Sequence, residues 1–268
     1  MFEFLPNYKI ARENMLPRGF KSRTFSTYSN AYIITNENLR RSMQYMPKNC
    51  ENALVVAASG DHPLFCSLYG AKHVDTFDIS YNAKCIMDIK VAALQILGKT
   101  EYWNLLRDLY NAHDIIEVKN MARISDLLSP VVFDYLWAMS HEPIFTNGCA
   151  PICNKDYAPT VKEYNKLRKI VKEPYDFMLS DISQLWFKLP NNYYDFIHLS
   201  NILDYCPEDK RKDVIESLMS HVSVKGTILM HDQLKVGTRR ACEEIASGNS
   251  NWKYHNRGCS INTLTRTR

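Results

Sequence analysis

The sequence predicts an α/β fold: a mostly parallel sheet with helices on both faces, a helical insertion and a C-terminal antiparallel hairpin. Three observations carry this reading. Strand, glycine-bearing turn, helix, strand and helix follow one another between residues 51 and 98, which is the order of a βαβ unit. The alternation resumes after residue 174, and most of the proposed strands run into Ser, Asn, Asp or Gly.

The elements can be justified in order. Residues 1–49 read as an N-terminal helical and loop extension, with a loop at Arg18-Gly19-Phe20-Lys21-Ser22 and a helix from Asn36 to Met46 that stops at Pro47. Residues 50–268 form the main α/β domain. Ala53-Leu54-Val55-Val56-Ala57-Ala58 is a continuous apolar run, as expected of a strand buried on both faces. A short helix over 63–69 closes at Gly70, and His73-Val74-Asp75-Thr76-Phe77-Asp78 is the second strand. From Asn82 to Leu97 the residues Ile86, Ile89, Ala93, Leu94 and Leu97 recur at helical spacing before Gly98.

The insertion, about 99–173, reads as helical and irregular. Helices are expected over 102–110 and 161–171, with a further stripe of Leu128, Val131, Val132, Tyr135, Leu136 and Met139 that reads as core packing. Asn147 to Asn154 is a loop suited to a lid or acceptor pocket. Strands follow at 175–180, 194–199 and 226–231, with helices over 207–221 and 239–247. Segments 252–255 and 260–265, joined across Asn256-Arg257-Gly258, form the hairpin.

Composition narrows the function classes. The net charge is +4 and the sequence pI about 8.5, without a dense basic block. Lys166, Arg168, Lys169 and Lys172 read as a solvated helix face, so no nucleic-acid partner is expected. No apolar run reaches the length of a membrane span, and the first residues lack a signal-peptide layout, so a cytoplasmic address is expected. Peripheral contact with a lipid surface stays open. The eight scattered cysteines suit free thiols. Cys149 and Cys153, near His141, have no second pair at zinc spacing, so no metal is expected.

In open parallel sheets, ligands bind beyond the carboxyl ends of the strands. Read by that rule, the first strand offers Ser59, Gly60 and Asp61, and the second offers Asp78 and Ile79. A carboxylate 18 positions beyond Gly60 suits hydrogen bonds from a ribose diol, whose partner is expected about 20 residues on. Asp181 with Ile182 stands where an adenine edge would be met. Ser200, Asn201, Asp204 and Tyr205 follow the next strand, and His231 and Asp232 the last. Gly60 is the lone glycine between Glu51 and Tyr69, so the glycines that bring a pyrophosphate onto a helix start are missing. A phosphate-free nucleoside cofactor, S-adenosylmethionine, answers this pattern. His231 is the candidate general base, with a structural role at the sheet edge as its rival; His198 reads as a core histidine and His62 as a loop brace.

The segment from Tyr194 to Tyr205 resembles the fourth-strand region of class I S-adenosylmethionine methyltransferases, which have a Rossmann-like fold. Ala58 to Leu64, Val74 to Ala83 and Asp88 to Ala93 are similar to the betaine-lipid-type 3-amino-3-carboxypropyltransferase family, which uses the same cofactor. Leu199-Ser200-Asn201-Ile202 matches that family's later segment, and Lys90 its helix lysine. Ile79-Ser80-Tyr81-Asn82 departs from the family's Asn-Pro-x-Gln turn. The resemblance covers about 50–98 and 175–235. It implies an S-adenosylmethionine-dependent transferase moving an aminocarboxypropyl group to a small-molecule or lipid acceptor. Ser59, Gly60, Asp61, Asp78, Ile79, Asp181, Ile182, Ser200 and Asn201 would hold the cofactor, and Asp204, Tyr205 and His231 would face the acceptor. A small-molecule methyltransferase and a non-enzymatic nucleoside-metabolite-binding protein are the alternatives.

Overall fold

The computed structural model describes residues 33–111, 118–133, 158–232, 237–258 and 260–268. The Arg18–Ser22 loop, the 147–154 loop with Cys149 and Cys153, His141 and the distal part of the 128–139 stripe lie outside those residues.

Seven strands carry the fold: β1 (Asn52–Val56), β2 (His73–Asp78), β3 (Asp176–Leu179), β4 (Tyr194–His198), β5 (Val222–His231), β6 (Trp252–Asn256) and β7 (Ile261–Arg266). Their order in the sheet is β3-β2-β1-β4-β5-β7-β6. β1 runs parallel to β2, from Asn52↔His73 to Val56↔Phe77, and parallel to β4, from Ala53↔Phe196 to Val55↔His198. β5 is parallel to β4, whereas β7 lies antiparallel to both β5 and β6. The expected sheet and terminal hairpin are therefore present, with the strand order reversing between β1 and β4.

Sterics explain where β5 departs from expectation. It starts at Val222, four residues before Gly226, and its pairing with β4 slips between Tyr194 and Phe196. A Cβ at Gly226 would sit 2.7 Å from Val222 Cγ1 and 2.9 Å from the Tyr194 carbonyl oxygen. Glycine thus lets the irregular strand pass its neighbour.

The helices are α1 (Leu39–Ser42), α2 (Asp61–Tyr69), α3 (Tyr81–Ile96), α4 (Lys99–Asn111), α5 (Val118–Ile124), α6 (Val161–Ile170), α7 (Ile182–Leu185), α8 (Arg211–Met219) and α9 (Gly237–Gly248). The helix expected over 36–46 is shorter, continuing from α1 only as a 3₁₀ turn, Met43–Tyr45. The helix expected over 207–221 is divided into a 3₁₀ turn, Glu208–Lys210, and α8. α6 opens on a capping box in which Thr160 and Glu163 satisfy each other's backbone N–H groups. It buries Tyr164 and Leu167 and leaves Lys166 and Lys169 exposed. No helix among the described residues is long and apolar enough to cross a membrane.

The chain divides into two compact units. One takes the described parts of residues 1–38, 57–64 and 78–179; the other takes 39–56, 65–77 and 180–268. In the second unit, Ala53, Leu54, Val55, Phe196, Ile197, Ile228 and Leu229 are fully buried, as central parallel strands require. In the first, α3 buries twelve of its sixteen residues, including Asn82, Asp88 and Lys90. A helix enclosed on nearly all sides must find partners for such polar groups.

Candidate functional site

The first unit holds the loop that follows β1. Gly60 N–H donates to the Ala57 carbonyl at 2.6 Å, closing a tight turn. Ala58 (φ 45°) and Gly60 (φ 77°) are both left-handed, a conformation that strains a residue carrying a Cβ. Gly60 has a second constraint. A Cβ there would lie 2.8 Å from Met87 Cα, so its bare backbone packs against α3. The absence of a side chain at Gly60 thus serves the packing of this loop on α3.

Asp78 links this loop to the end of β2. Its Oδ2 accepts from Ala58 N–H at 3.0 Å and its Oδ1 from Ser80 N–H at 2.9 Å. Burial pushes its carboxyl up to about 6, against the opposing pull of N–H groups of Ser80, Ala58 and Ile79 and of nearby His62. The dominant cause is desolvation of the charged form. The residue as a whole is half-buried, and a carboxylate that accepts from these N–H groups retains acceptor capacity.

Asp61, the first residue of α2, is buried. Its Oδ1 accepts from Lys90 Nζ at 2.6 Å, and its Oδ2 accepts from Thr35 N–H at 2.7 Å and Ser59 Oγ at 2.8 Å. The Lys90 side chain is 0 % exposed. Burial lowers its pKa, opposed by the charge of Asp61 and the hydrogen bond to it. This ion pair fixes the start of α2 to the middle of α3. A lysine among Ile86, Ile89 and Ala93 on an apolar helix calls for a buried acid, and Asp61 is that partner. His62 is also buried, with Nε2 3.3 Å from Glu37 Oε2.

The second unit holds the remaining residues singled out. Asp181 caps α7: its Oδ1 accepts from Ser183 N–H at 2.8 Å and Ser183 Oγ at 2.7 Å. Ile182 beside it is buried. Ser200 has φ 54°. Its N–H donates to His198 Nδ1 at 3.1 Å, its carbonyl accepts from His231 N–H at 2.7 Å, and its hydroxyl donates to Asn201 Oδ1 at 3.3 Å. A neutral His198 therefore carries its proton on Nε2. Asp204 is buried and Tyr205 exposed, on the 3₁₀ turn Ile202–Tyr205.

His231 is turned into the protein. It is buried, its Nε2 lies 3.0 Å from Ser42 Oγ, and its ring centroid is 5.5 Å from that of His198. Asp232 bridges elements, accepting from Thr238 N–H at 3.3 Å and Asn262 Nδ2 at 3.0 Å. The described cysteines, Cys50, Cys66, Cys85, Cys206 and Cys242, are free thiols. Burial raises the pKa of each, Cys50 and Cys242 to about 12, which removes thiolate character near neutrality.

No family model matches the chain. No curated protein matches it either. Solved structures do. A ribosomal protein L11 methylase from Lactobacillus delbrueckii subsp. bulgaricus is 14% identical, with 87% of this chain and 81% of that one covered at a TM-score of 0.43. The N-methyltransferase NodS from Bradyrhizobium japonicum is 9% identical, with 86% and 92% covered at 0.39. A putative methyltransferase from Streptococcus mutans, in complex with SAH, is 8% identical, with 87% and 99% covered at 0.42. The similarity to all three is at the level of a distant chain trace.

Proposed function

We propose that the chain is an S-adenosylmethionine-dependent transferase, with the cofactor held by the loop after β1 and by Asp78. The observation that carries this is Asp78: a half-buried residue at the carboxyl end of β2, its carboxylate tied to Ala58 N–H with acceptor capacity left for a diol. Asp61 supports the choice of cofactor. A helix N-terminus following a strand is where a dinucleotide places its pyrophosphate, and here that position carries a buried carboxylate bound to Lys90. S-adenosylmethionine brings no pyrophosphate to that position.

In this reading Ser59 and Gly60 present the loop backbone to the methionine moiety, and Asp61 fixes the loop through Lys90. Asp78, beside Ile79, orients the ribose. By their places after β3 and β4, Asp181 with Ile182 and Ser200 with Asn201 complete the cofactor set. Asp204, Tyr205 and His231 are assigned to the acceptor. The acceptor is a small molecule or a lipid.

The cofactor supplies a sulfonium whose neighbouring carbons are open to in-line displacement. With that cofactor bound, transfer of its 3-amino-3-carboxypropyl group would join the acceptor atom to the γ-carbon, with the carbon–sulfur electron pair going to sulfur and methylthioadenosine leaving. The chain's part is to position the two reactants and receive the acceptor's proton, and His231 is the candidate for that proton. The resemblance at Lys90 and Leu199-Ser200-Asn201-Ile202 favours this transfer over methyl transfer from the same sulfonium. Mass spectrometry of the by-product tests the choice. Methylthioadenosine is expected; S-adenosylhomocysteine alone would establish methyl transfer instead.

A further inference from the structure

Arg211, the first residue of α8, is 1 % exposed, and its Nε, Nη1 and Nη2 have no hydrogen-bond partner among the described residues. A guanidinium has five donors and cannot shed its charge. Burial without an acceptor is among the costliest arrangements a side chain can take. The group is aimed at the start of α9: a Cβ on Gly237 would overlap Arg211 Nη1 and lie 3.1 Å from its Cζ. Only glycine lets the guanidinium reach that backbone.

Thr238, the next residue, is fully buried, and its Oγ1 is likewise without a partner among the described residues. Its N–H is already taken by Asp232 Oδ1. α9 is twelve residues long, so its N-terminus carries the full partial positive charge of a helix end. Two buried polar side chains without partners among the described residues thus lie at the start of α9, Arg211 against Gly237 and Thr238 next to it. Two acidic residues border it. Asp232 is held in place by Thr238 and Asn262. Glu208 is exposed, with its Cγ 3.2 Å from the place of a Gly237 Cβ, and it forms no ion pair with Arg211.

The geometry points to a binding site for an oxyanion, the carboxylate or phosphate of a ligand, formed by the Arg211 guanidinium, Thr238 Oγ1 and the first turn of α9. A planar guanidinium binds such a group through two parallel N–H bonds, and a helix N-terminus adds backbone donors. Glu208, an exposed carboxylate beside Gly237, is a competitor for the guanidinium. In an S-adenosylmethionine-dependent transferase this oxyanion belongs to the acceptor. That assignment rests on the function proposed above; the site itself does not.

Isothermal titration of the full-length protein with inorganic phosphate, and separately with acetate, at constant ionic strength tests the site without cofactor. Saturable binding of either anion is expected, the tighter one marking a phosphorylated or a carboxylated ligand. Arg211→Lys, which keeps the charge and loses the fork, weakens it by about tenfold or more. Thr238→Val, nearly isosteric, weakens it about three- to tenfold, and Glu208→Gln strengthens it. Absence of saturable binding by the folded wild type, or equal binding by wild type and Arg211→Lys, would overturn the site. Titration of the same samples with S-adenosylmethionine separates the two proposals: anion binding without cofactor binding keeps the site and removes only its link to an acceptor.

Discussion

The loop after β1 and the segment after β4 follow neighbouring strands and share a left-handed residue without glycine, Ala58 in one and Ser200 in the other. They differ in where their polar groups go. Around Ala58 a carboxylate with a raised pKa belongs to a half-buried residue, and a buried ion pair beneath it holds the backbone. Around Ser200 the imidazoles of His198 and His231 turn inward, toward Ser200 N–H and Ser42 Oγ. The first region is braced so that it can present a charged group. The second satisfies its polar groups largely within the protein. Strain at a strand end is therefore common to both, and the remaining acceptor capacity of Asp78 is what the proposed cofactor site chiefly rests on.

The sharpest way to break the contrast is to remove the brace. Lys90→Met leaves Asp61 charged and buried, and it is expected to lower stability by about 3–5 kcal/mol, measured from urea unfolding midpoints. Adding Asp61→Leu should recover much of that loss; a single mutant as stable as wild type would show that the pair bears no strain of burial.

Next in size is the pH response of Asp78. Its folded pKa, about 6, stands above the roughly 3.9 of an unfolded aspartate. The folded state thus binds the extra proton more tightly, and its advantage is full below pH ~4 and lost as pH rises through ~6. The difference corresponds to about 2–3 kcal/mol. Asp78→Asn should gain stability relative to wild type across pH 4–6 and hold that gain above it. A pH-independent difference between the two proteins would remove the shift.

Gly60→Ala places a methyl group against Met87 Cα in a left-handed residue, with an expected loss of about 2 kcal/mol. An unchanged thermal midpoint would contradict the close packing there. The smallest effect lies in the second region. Ser42→Ala removes the hydroxyl beside His231 Nε2 and should cost about 1 kcal/mol, with no change in cofactor affinity. Loss of cofactor affinity in that variant would show that the contact of Ser42 with His231 also supports the cofactor side of the proposed site.

Much of the sheet was legible in the chain because each central strand is a short apolar run ended by a turn residue, and burial on both faces leaves no other reading of Ala53–Val56 or Phe196–Ile197. The hairpin was legible from Asn256-Arg257-Gly258. The start of β5 was not, because Ser223, Val224 and Lys225 carry no strand pattern; Gly226 marks an irregularity whose meaning depends on Tyr194 beside it. At the site, the positions after the strands were readable but the partners were not. Asp61 and Lys90 are 29 residues apart, and nothing local in either shows that they meet. Likewise the place of His231 at a strand end says nothing of which side its ring takes, and Ser42, which settles it, lies in the extension.

The most direct test is calorimetric titration of the folded protein with S-adenosylmethionine, wild type beside Asp78→Ala. Saturable binding by the wild type is expected, weakened in the variant by about 1–3 kcal/mol, or roughly 5- to 150-fold. No binding by well-folded wild type would contradict the cofactor, and equal binding by both would remove Asp78 from the site.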